Sequence, residues 1–556
     1  MTLWDSKYHS CSDRGKCPTQ LGILAGDRQQ SEWGYNIPFD RKHVMRWFKL
    51  MLLNPEDLPR DAAESKYMKE AASCLEKRGK SAEDAVADFL RLLWQHCLNA
   101  MYRDRGREEI DQYKTTIVIT VPAIWPNYAQ AKMTRAAERA GMLSERGRGM
   151  ARGKPDLRFV SEPEAAALAV LADFHPKPNI KDDTIVVCDA GGGTTDLISY
   201  QVSKPIKFEL RETVSGEGEL VSGVMVDDEF EEFISSTIGH TAWNKLDVGD
   251  IAKFMKEDWE LCVKEQFTGA ESKFWIEVPD GYLVSSTNKK RKRTTTTVPI
   301  TRKDLLPVFD GVVDKICALV QRQVDGIKKK DLPDPKFIIL VGGFGCCRYL
   351  FNRLDAAHPD CTVLNPPVRD SWTAVCRGAV RCGLNRLGTK RSHEVTVEER
   401  ISRVGYGFHF RIPFNEKYHD PRDKIYEEFE EQYMADSQMD WFLKPGQVLP
   451  SKSASNHRYY ELLSADNPAS LEEDLFYCCS DELPMRRTDD VKQLCTIKWE
   501  NSVDLRGLEK LHNSKGETFY KVHYTIRVTI EGPNLHIDVL RGSQKMAERN
   551  VFIDYK

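Results

Sequence analysis

The strongest constraint on this chain is one turn, Asp189-Ala190-Gly191-Gly192-Gly193-Thr194-Thr195-Asp196, set between two apolar runs. Thr184 to Cys188 (TIVVC) reads as a buried strand entering the turn, and Leu197 to Val202 as the strand leaving it. Three consecutive glycines let backbone N–H groups approach an anion with no Cβ in the way. Thr194 and Thr195 add hydroxyl donors. Asp189, at the end of a buried strand, is placed to hold water on a magnesium ion, which keeps much of its hydration. Asp196 is a second carboxylate on the far side. A merely flexible hairpin would need the glycines but neither the flanking acids nor the threonine pair.

The same grammar recurs along the chain. Thr116 to Val121 (TIVITV) is a β-rich run of the kind buried on both faces, ended by Pro122. A helix is expected from about Pro126 to Ala140, stopped by Gly141. Arg158 to Val160 reads as a short strand and Glu164 to Leu171 as an Ala-rich helix. Ser81, with Asp84 three residues on, should cap a helix whose apolar stripe runs through Val86, Phe89, Leu90, Leu93, Cys97 and Met101. Phe337 to Val341 (FIILV) repeats the strand-then-glycine pattern, with a helix from about Cys347. Strands alternating with helices indicate α/β architecture.

After about Gly388 the character changes. Val522, Tyr524, Ile526, Val528 and Ile530 alternate with polar residues, Glu531-Gly532-Pro533-Asn534 makes a turn, and Leu535, Ile537 and Val539 resume the alternation. That is a hairpin of a separate antiparallel β-domain. Lys289 to Thr297 (KKRKRTTTT) reads as a solvated loop between strands, with a nuclear-import signal as the alternative.

Composition narrows the partners. The chain has 556 residues, 80 Lys and Arg against 84 Asp and Glu, and a net charge of -4. That balance gives no reason to expect nucleic acid or a membrane surface. No apolar run is long enough to span a bilayer and no apolar signal core opens the chain, so a cytoplasmic location is expected, with the nucleus as the alternative. The 15 cysteines include no Cys-x-x-Cys pair, which argues against a zinc ribbon or a thioredoxin-type site.

At this point the sequence resembles the heat-shock protein 70 branch of the actin-like ATPases. The Asp189–Asp196 turn is similar to that family's second phosphate hairpin. Four other segments match in order: Ile119 to Met142, the strand and helix before the connecting helices; FVSEPEAAALAV (Phe159 to Val170), the first connecting helix; ILVGGFGCCRYL (Ile339 to Leu350), the adenosine motif; and AVCRGAV (Ala374 to Val380), the second connecting helix. Ala374 and Gly378, small and one turn apart, would let two helices cross closely. WGYNIPF (Trp33 to Phe39), GELVSGVMVDDEFEEFI (Gly218 to Ile234) and MDWFLKPGQVL (Met439 to Leu449) resemble the divergent branch that lacks the usual peptide-binding domain and lid.

The resemblance implies a two-lobed, ribonuclease H-like α/β fold with lobe I over 1–180, lobe II over 181–388 and a C-terminal antiparallel β-domain over 389–556. It implies ATP or ADP with magnesium as ligands and protein clients as partners. By position, Glu162 resembles the carboxylate that organises the magnesium shell and the attacking water, with a helix-start cap as the plainer reading. Asp189 resembles the magnesium-shell aspartate, bound through water. Thr194 resembles the hydroxyl on the terminal phosphate, and Asp196 a group orienting water. Gly191, Gly192, Gly193 and Thr195 complete the phosphate turn. Lys49, in WFKLML, resembles the phosphate-contacting lysine, Lys264 the ribose-side lysine, and Gly342 and Gly343 the backbone under adenosine. Where the family carries an adenine-packing arginine, this chain has Glu265, which cannot supply that contact.

A larger departure lies at the N-terminus. The family opens with a strand, an acidic Gly-Thr-Thr hairpin and a second strand, which together form the opposing jaw of the phosphate clamp. Met1 to Cys17 contains no Asp-x-Gly-Thr and no apolar strand run. The expectation is therefore an N-terminally incomplete domain: a shortened version of a longer protein, or a degenerate member that binds nucleotide weakly. The intact later motifs favour the first. Three functions are then in view: an ATP-dependent chaperone-type switch, a non-catalytic interaction protein on the same scaffold, and a metabolite kinase. Glu162-Pro163 and the β-rich C-terminal part weigh against the kinase.

Overall fold

The computed structural model describes the chain apart from residues 1–3, 5, 9–10, 12–14, 23–31, 42, 59–62, 124, 146–152, 175–179, 205–207, 279–296, 388–394, 451, 465–470, 500–506, 532–533 and 553–556. Nearly all of the basic run before Thr297, and the Gly532-Pro533 turn, fall outside the described residues. The chain divides into two compact units. The first comprises Met1–Trp125, Ala129–Glu209 and Gly216–Thr396; the second comprises Pro126–Tyr128, Leu210–Ser215 and Val397–Lys556.

The first unit is α/β. It opens with a three-stranded sheet of short strands, β1 (Leu21–Gly22), β2 (Glu32–Trp33) and β3 (Val44–Met45), in the order β2-β1-β3. Helix α1 (Lys66–Arg78) ends on Gly79 in the left-handed conformation, a position that suits glycine. Helix α2 (Ala82–Arg105) starts in the capping box that Ser81 and Asp84 specify: each side chain accepts from the other's backbone N–H. Such a cap is worth about 1 kcal/mol.

Strands β4 (Thr116–Val121) and β5 (Asp156–Ser161) pair in parallel, joined through helix α3 (Asn127–Arg139). TIVITV corrects an expectation. Only Ile117 and Val121 of β4 are fully buried, because β5 is its only neighbour among the described strands. A β-rich run reports strand propensity, while burial depends on what covers each face.

Helix α4 (Glu162–Ala172) follows β5 at once. Ser161 caps it through the N–H of Glu164. Pro163–Ala172 are all buried, so the helix is apolar all round and lies inside the unit. Strands β6 (Thr184–Ala190), β7 (Thr195–Lys204) and β8 (Phe208–Glu219), whose Leu210–Ser215 belong to the second unit, follow. Then come helix α5 (Gly223–Ile238), the two-stranded pair β9 (Lys273–Glu277) and β10 (Thr297–Thr301), helix α6 (Arg302–Lys328), and β11 (Pro335–Val341). Helix α7 (Arg348–Ala357), β12 (Thr362–Leu364) and helix α8 (Val368–Arg386) complete the unit. The sheet order is β12-β11-β6-β7-β8, with β6, β11 and β12 parallel and β6–β7 an antiparallel hairpin. Every residue of β6 is buried, as a central strand requires.

Helices α4 and α8 cross in the close contact expected of small residues. A Cβ on Gly378 would lie 1.6 Å from the carbonyl oxygen of Ala165, so only glycine fits there.

The second unit is antiparallel β. Strands β13 (Val395–Ile401), β14 (Gly405–Pro413), β15 (Lys424–Glu427), β16 (Gln432–Leu443), β17 (Val448–Pro450), β18 (Lys452–Ser464), β19 (Leu471–Cys478), β20 (Lys492–Trp499), β21 (Glu509–His512), β22 (Thr518–Glu531), β23 (Asn534–Arg541) and β24 (Gln544–Phe552) run through it. One sheet has the order β15-β16-β14-β19-β20 and another β18-β22-β23-β24, with β21 beside β22. Val522, Tyr524, Ile526, Val528, Ile530, Leu535, Ile537 and Val539 form one core with Tyr406, Phe408 and Leu475. The alternation in the sequence therefore marks the inner face of β22 and β23.

Candidate functional site

The β6–β7 register sets the site. Asp189 lies directly opposite Asp196, and Ala190 opposite Thr195. Directly opposed residues share a face, so two carboxylates meet across the hairpin, an arrangement that is unfavourable without a proton or a cation between them. Both are buried, and Glu162 in the first turn of α4 adds a third negative charge. Burial, then the Glu162 charge, pushes the Asp189 carboxyl up to about 6, against a smaller opposing pull from Lys16 and Lys49. Asp196 is pushed higher still, by burial and then by Glu162; the Thr194 hydroxyl and the Ala123 N–H pull it back.

The two oxygens of Asp196 are treated differently. Oδ1 accepts from the Ala123 N–H at 2.7 Å, whereas Oδ2 is buried with no hydrogen-bond partner among the described residues. A buried acceptor of this kind costs free energy unless something fills it.

Lys49 arrives from a segment 113 residues earlier. Its Nζ donates to Glu162 Oε1 at 2.7 Å and lies 5.3 Å from the centre of the Trp125 ring. Glu162 is thus held by a lysine, while Ser161 does the capping. The helix-start reading of Glu162 gives way to an ion pair beside the hairpin.

The turn glycines divide into two kinds. The Gly191 N–H donates to the Thr194 carbonyl at 2.8 Å and closes the turn. A Cβ on Gly192 or Gly193 would meet nothing within 4 Å, so their side of the turn is open. Thr194 is buried, and its hydroxyl helps to hold the Asp196 carboxyl down against the burial that pushes it up. Thr195 is fully buried and its hydroxyl donates to the Val221 carbonyl at 2.7 Å. That bond ties the hairpin to the segment before α5.

Gly342 approaches from β11. Its φ is +93°, and a Cβ there would lie 2.4 Å from both Asp189 Oδ1 and the Ala190 carbonyl oxygen. Parallel pairing of Val341 with Asp189 makes this approach obligatory. A Cβ on Gly343 would meet nothing within 4 Å, which leaves backbone open to a ligand. Asn365 steadies the loop, donating to the carbonyls of Leu340 at 3.1 Å and Gly345 at 2.7 Å, and Ser371 donates to the Gly342 carbonyl at 3.4 Å. Sequence reasoning missed Asn365, Ser371 and Trp125, since no local pattern surrounds them.

Among the described residues, no three His, Cys, Asp or Glu side chains are close enough to hold a metal ion directly. The three acids feel one another's charge without forming a ligand cage. Such a donor set fits a hydrated magnesium ion bound through its waters, and fits a bare transition metal poorly.

Three comparisons bear on this geometry. The sequence model of the family described as Hsp70 protein matches residues 96–348, which include Glu162, the β6–β7 turn, Lys264 and Gly342. Heat shock 70 kDa protein 12A of Homo sapiens is 23% identical over 489 residues, covering 73% of this chain and 67% of that protein. A chaperone protein HscA homolog of Neisseria meningitidis is 26% identical over 43% of the chain and 33% of its own length, and a chaperone protein DnaK of Thermoplasma volcanium is 28% identical over 41% and 33%. The chain is a divergent Hsp70-like protein. Its first unit is built as an actin-like ATPase domain, followed by an antiparallel β region.

The other expected position, Lys264, reaches the turn through Gly223, whose N–H donates to the Gly191 carbonyl at 3.3 Å. Lys264 follows a π-helical stretch, Met255–Val263. Its Nζ donates to Asp227 Oδ1 at 2.6 Å and to the Gly223 carbonyl at 2.7 Å, and lies 5.7 Å from the Phe344 ring of the adenosine motif. Its charge is answered within the protein. Glu265 is exposed.

Proposed function

We propose that this Hsp70-like chain binds ATP or ADP together with magnesium at the β6–β7 turn, in the manner of a nucleotide-dependent chaperone switch. The observation that carries the reading is the facing Asp189–Asp196 pair, buried beside Glu162 with one oxygen unpartnered. Residues that repel one another in a buried place are kept where a cationic ligand offsets the repulsion. Magnesium, when bound, supplies charge neutralisation for the phosphates.

The chain's own groups have separate tasks. Gly192 and Gly193 offer backbone N–H groups on the open side of the turn, and the Thr194 hydroxyl acts on Asp196. Asp189 and Asp196 hold water. Glu162 orients the attacking water and is itself aimed by Lys49. Gly342 and Gly343 form the floor under the nucleoside. Protein clients and a cytoplasmic location belong to the same proposal.

The test is thermal melting with and without magnesium-ATP. The wild-type chain should be stabilised by the nucleotide, and Asp189→Ala should lose that shift. An equal shift in the variant would remove the turn from the site.

A second reading keeps the scaffold without turnover. It is favoured by one observation, the exposed carboxylate Glu265 where the resemblance expects an adenine-packing arginine. It expects no phosphate release from ATP. Release that depends on Glu162, lost in Glu162→Gln, would exclude it.

A further inference from the structure

The C-terminal unit carries a surface that its own core does not use. Tyr426 on β15 lies directly opposite Tyr433 on β16, with ring centres 5.2 Å apart in an edge-to-face pair. Both are largely in solvent, 54% and 55% exposed. Lys424, two residues before Tyr426 and so on the same face, sets its Nζ 4.6 Å from the Tyr433 ring centre and 4.9 Å from that of Phe414. The rings therefore already grip one ammonium group, supplied by the chain itself.

The stretch of sequence that carries this face is acidic, and part of that charge is answered from outside it, by Arg411 on Glu427 and Asp436 and by Arg486 on the buried Asp423. Residues 416–436 contain eight Asp and Glu against three Lys and Arg, a net of -5, whereas the whole 556-residue chain carries -4. Glu416 and Glu428 stand well out into water, with side chains 86% and 71% exposed. Their intramolecular partners are long and exposed: Lys424 at 3.6 Å and Lys515 at 3.4 Å. Pairs of this kind exchange partners at little cost. Finally, β15 is the outermost strand of its sheet, so its far edge has no strand partner among the described residues. A free edge of this kind accepts an extended segment.

We propose that the β15–β16 face binds a lysine- or arginine-rich extended segment of a partner protein. Cationic side chains lie over the exposed Tyr426 and Tyr433 rings, as Lys424 already lies over Tyr433, and the surrounding carboxylates select for positive charge. The same carboxylates repel nucleic acid and anionic lipid. An apolar segment would gain the rings but leave the acids unanswered. The surface lies wholly in the second unit, so the inference stands apart from the nucleotide reading and is tested without ATP.

The experiment uses the full chain and three labelled peptides of equal length, rich in Lys and Arg, rich in Glu, or neutral and apolar, with binding followed by fluorescence anisotropy. The basic peptide should bind at least tenfold more tightly than the other two, and added salt should weaken it. The double variant Tyr426→Ala/Tyr433→Ala should lose at least tenfold, and Tyr433→Phe should retain wild-type binding because it keeps the ring. Glu416→Lys/Glu428→Lys should also lose at least tenfold, at an unchanged melting temperature. Should the alanine variant fail to fold, the charge-reversal variant decides alone. Equal binding of basic and neutral peptides, preference for the apolar one, or wild-type affinity in the charge-reversal variant would each overturn the proposal.

Discussion

The two units treat a buried acid in opposite ways. In the second unit Glu212 is almost wholly enclosed, and both of its oxygens are engaged: Oε1 by the Arg403 guanidinium, itself enclosed, and Oε2 by the Ile401 N–H at 2.9 Å. In the first unit Asp189 and Asp196 face each other, Glu162 adds to the repulsion, and one oxygen of Asp196 has no partner. Glu212 is a finished structural element. The hairpin acids keep one oxygen without a partner among the described residues, and the proposed magnesium site rests on that difference. A buried acid with a full set of partners reports architecture, whereas one without them points to a ligand.

The comparison breaks most visibly at Arg403. Arg403→Met strands the Glu212 charge and should cost about 3–5 kcal/mol, the usual result of removing one member of a buried pair. Urea unfolding measures it, and a loss below about 1 kcal/mol would show that Glu212 needs no guanidinium.

Glycine substitutions sharpen the contrast within the hairpin itself. Gly342→Ala places a methyl group 2.4 Å from Asp189 Oδ1 at a φ of +93°. It should destabilise the first unit by about 1–3 kcal/mol and abolish the nucleotide-dependent melting shift. Gly192→Ala meets nothing within 4 Å and should change stability by less than about 0.5 kcal/mol, while lowering nucleotide affinity. Equal stability of the two variants would separate Gly342 from the hairpin.

The smallest effect is a pH dependence in the second unit. Glu473 on β19 accepts from the Tyr524 hydroxyl, and burial pushes its carboxyl up from 4.5 to about 7. The folded chain thus holds that proton more tightly than the unfolded chain does. The stabilisation is fully present below about pH 4.5 and is lost as pH rises through about 7. Glu473→Gln should flatten that slope in a series of thermal melts, and an unchanged slope would assign it to another group.

Much of this was legible in the sequence where the cause is local. The Ser81–Asp84 capping box, the β6 and β11 strands and the inner face of β22 depend on residues a few positions apart. The glycine at 378 was readable because one helix can approach another only where Cβ atoms are small. Burial of β4 was not readable, because a β-rich run does not say how many neighbours the strand will have. Thr195 misled for a related reason. Its hydroxyl has the chemistry of a phosphate donor, and in the folded chain it donates to the Val221 carbonyl, a partner 26 residues away that no local pattern announces.

By itself, the sequence determined that two strands meet in a glycine turn flanked by acids, and that an antiparallel β region follows an α/β one. Both are set by residue pattern over a short span. Only the tertiary structure decided which polar atoms of that turn are already satisfied. Ala123, from 73 residues away, fills one oxygen of Asp196, and Lys49, from 113 residues away, fixes Glu162. Hydrogen-bond partners are chosen by proximity after folding, so the unfilled oxygen of Asp196, on which the proposed function turns, exists only in three dimensions.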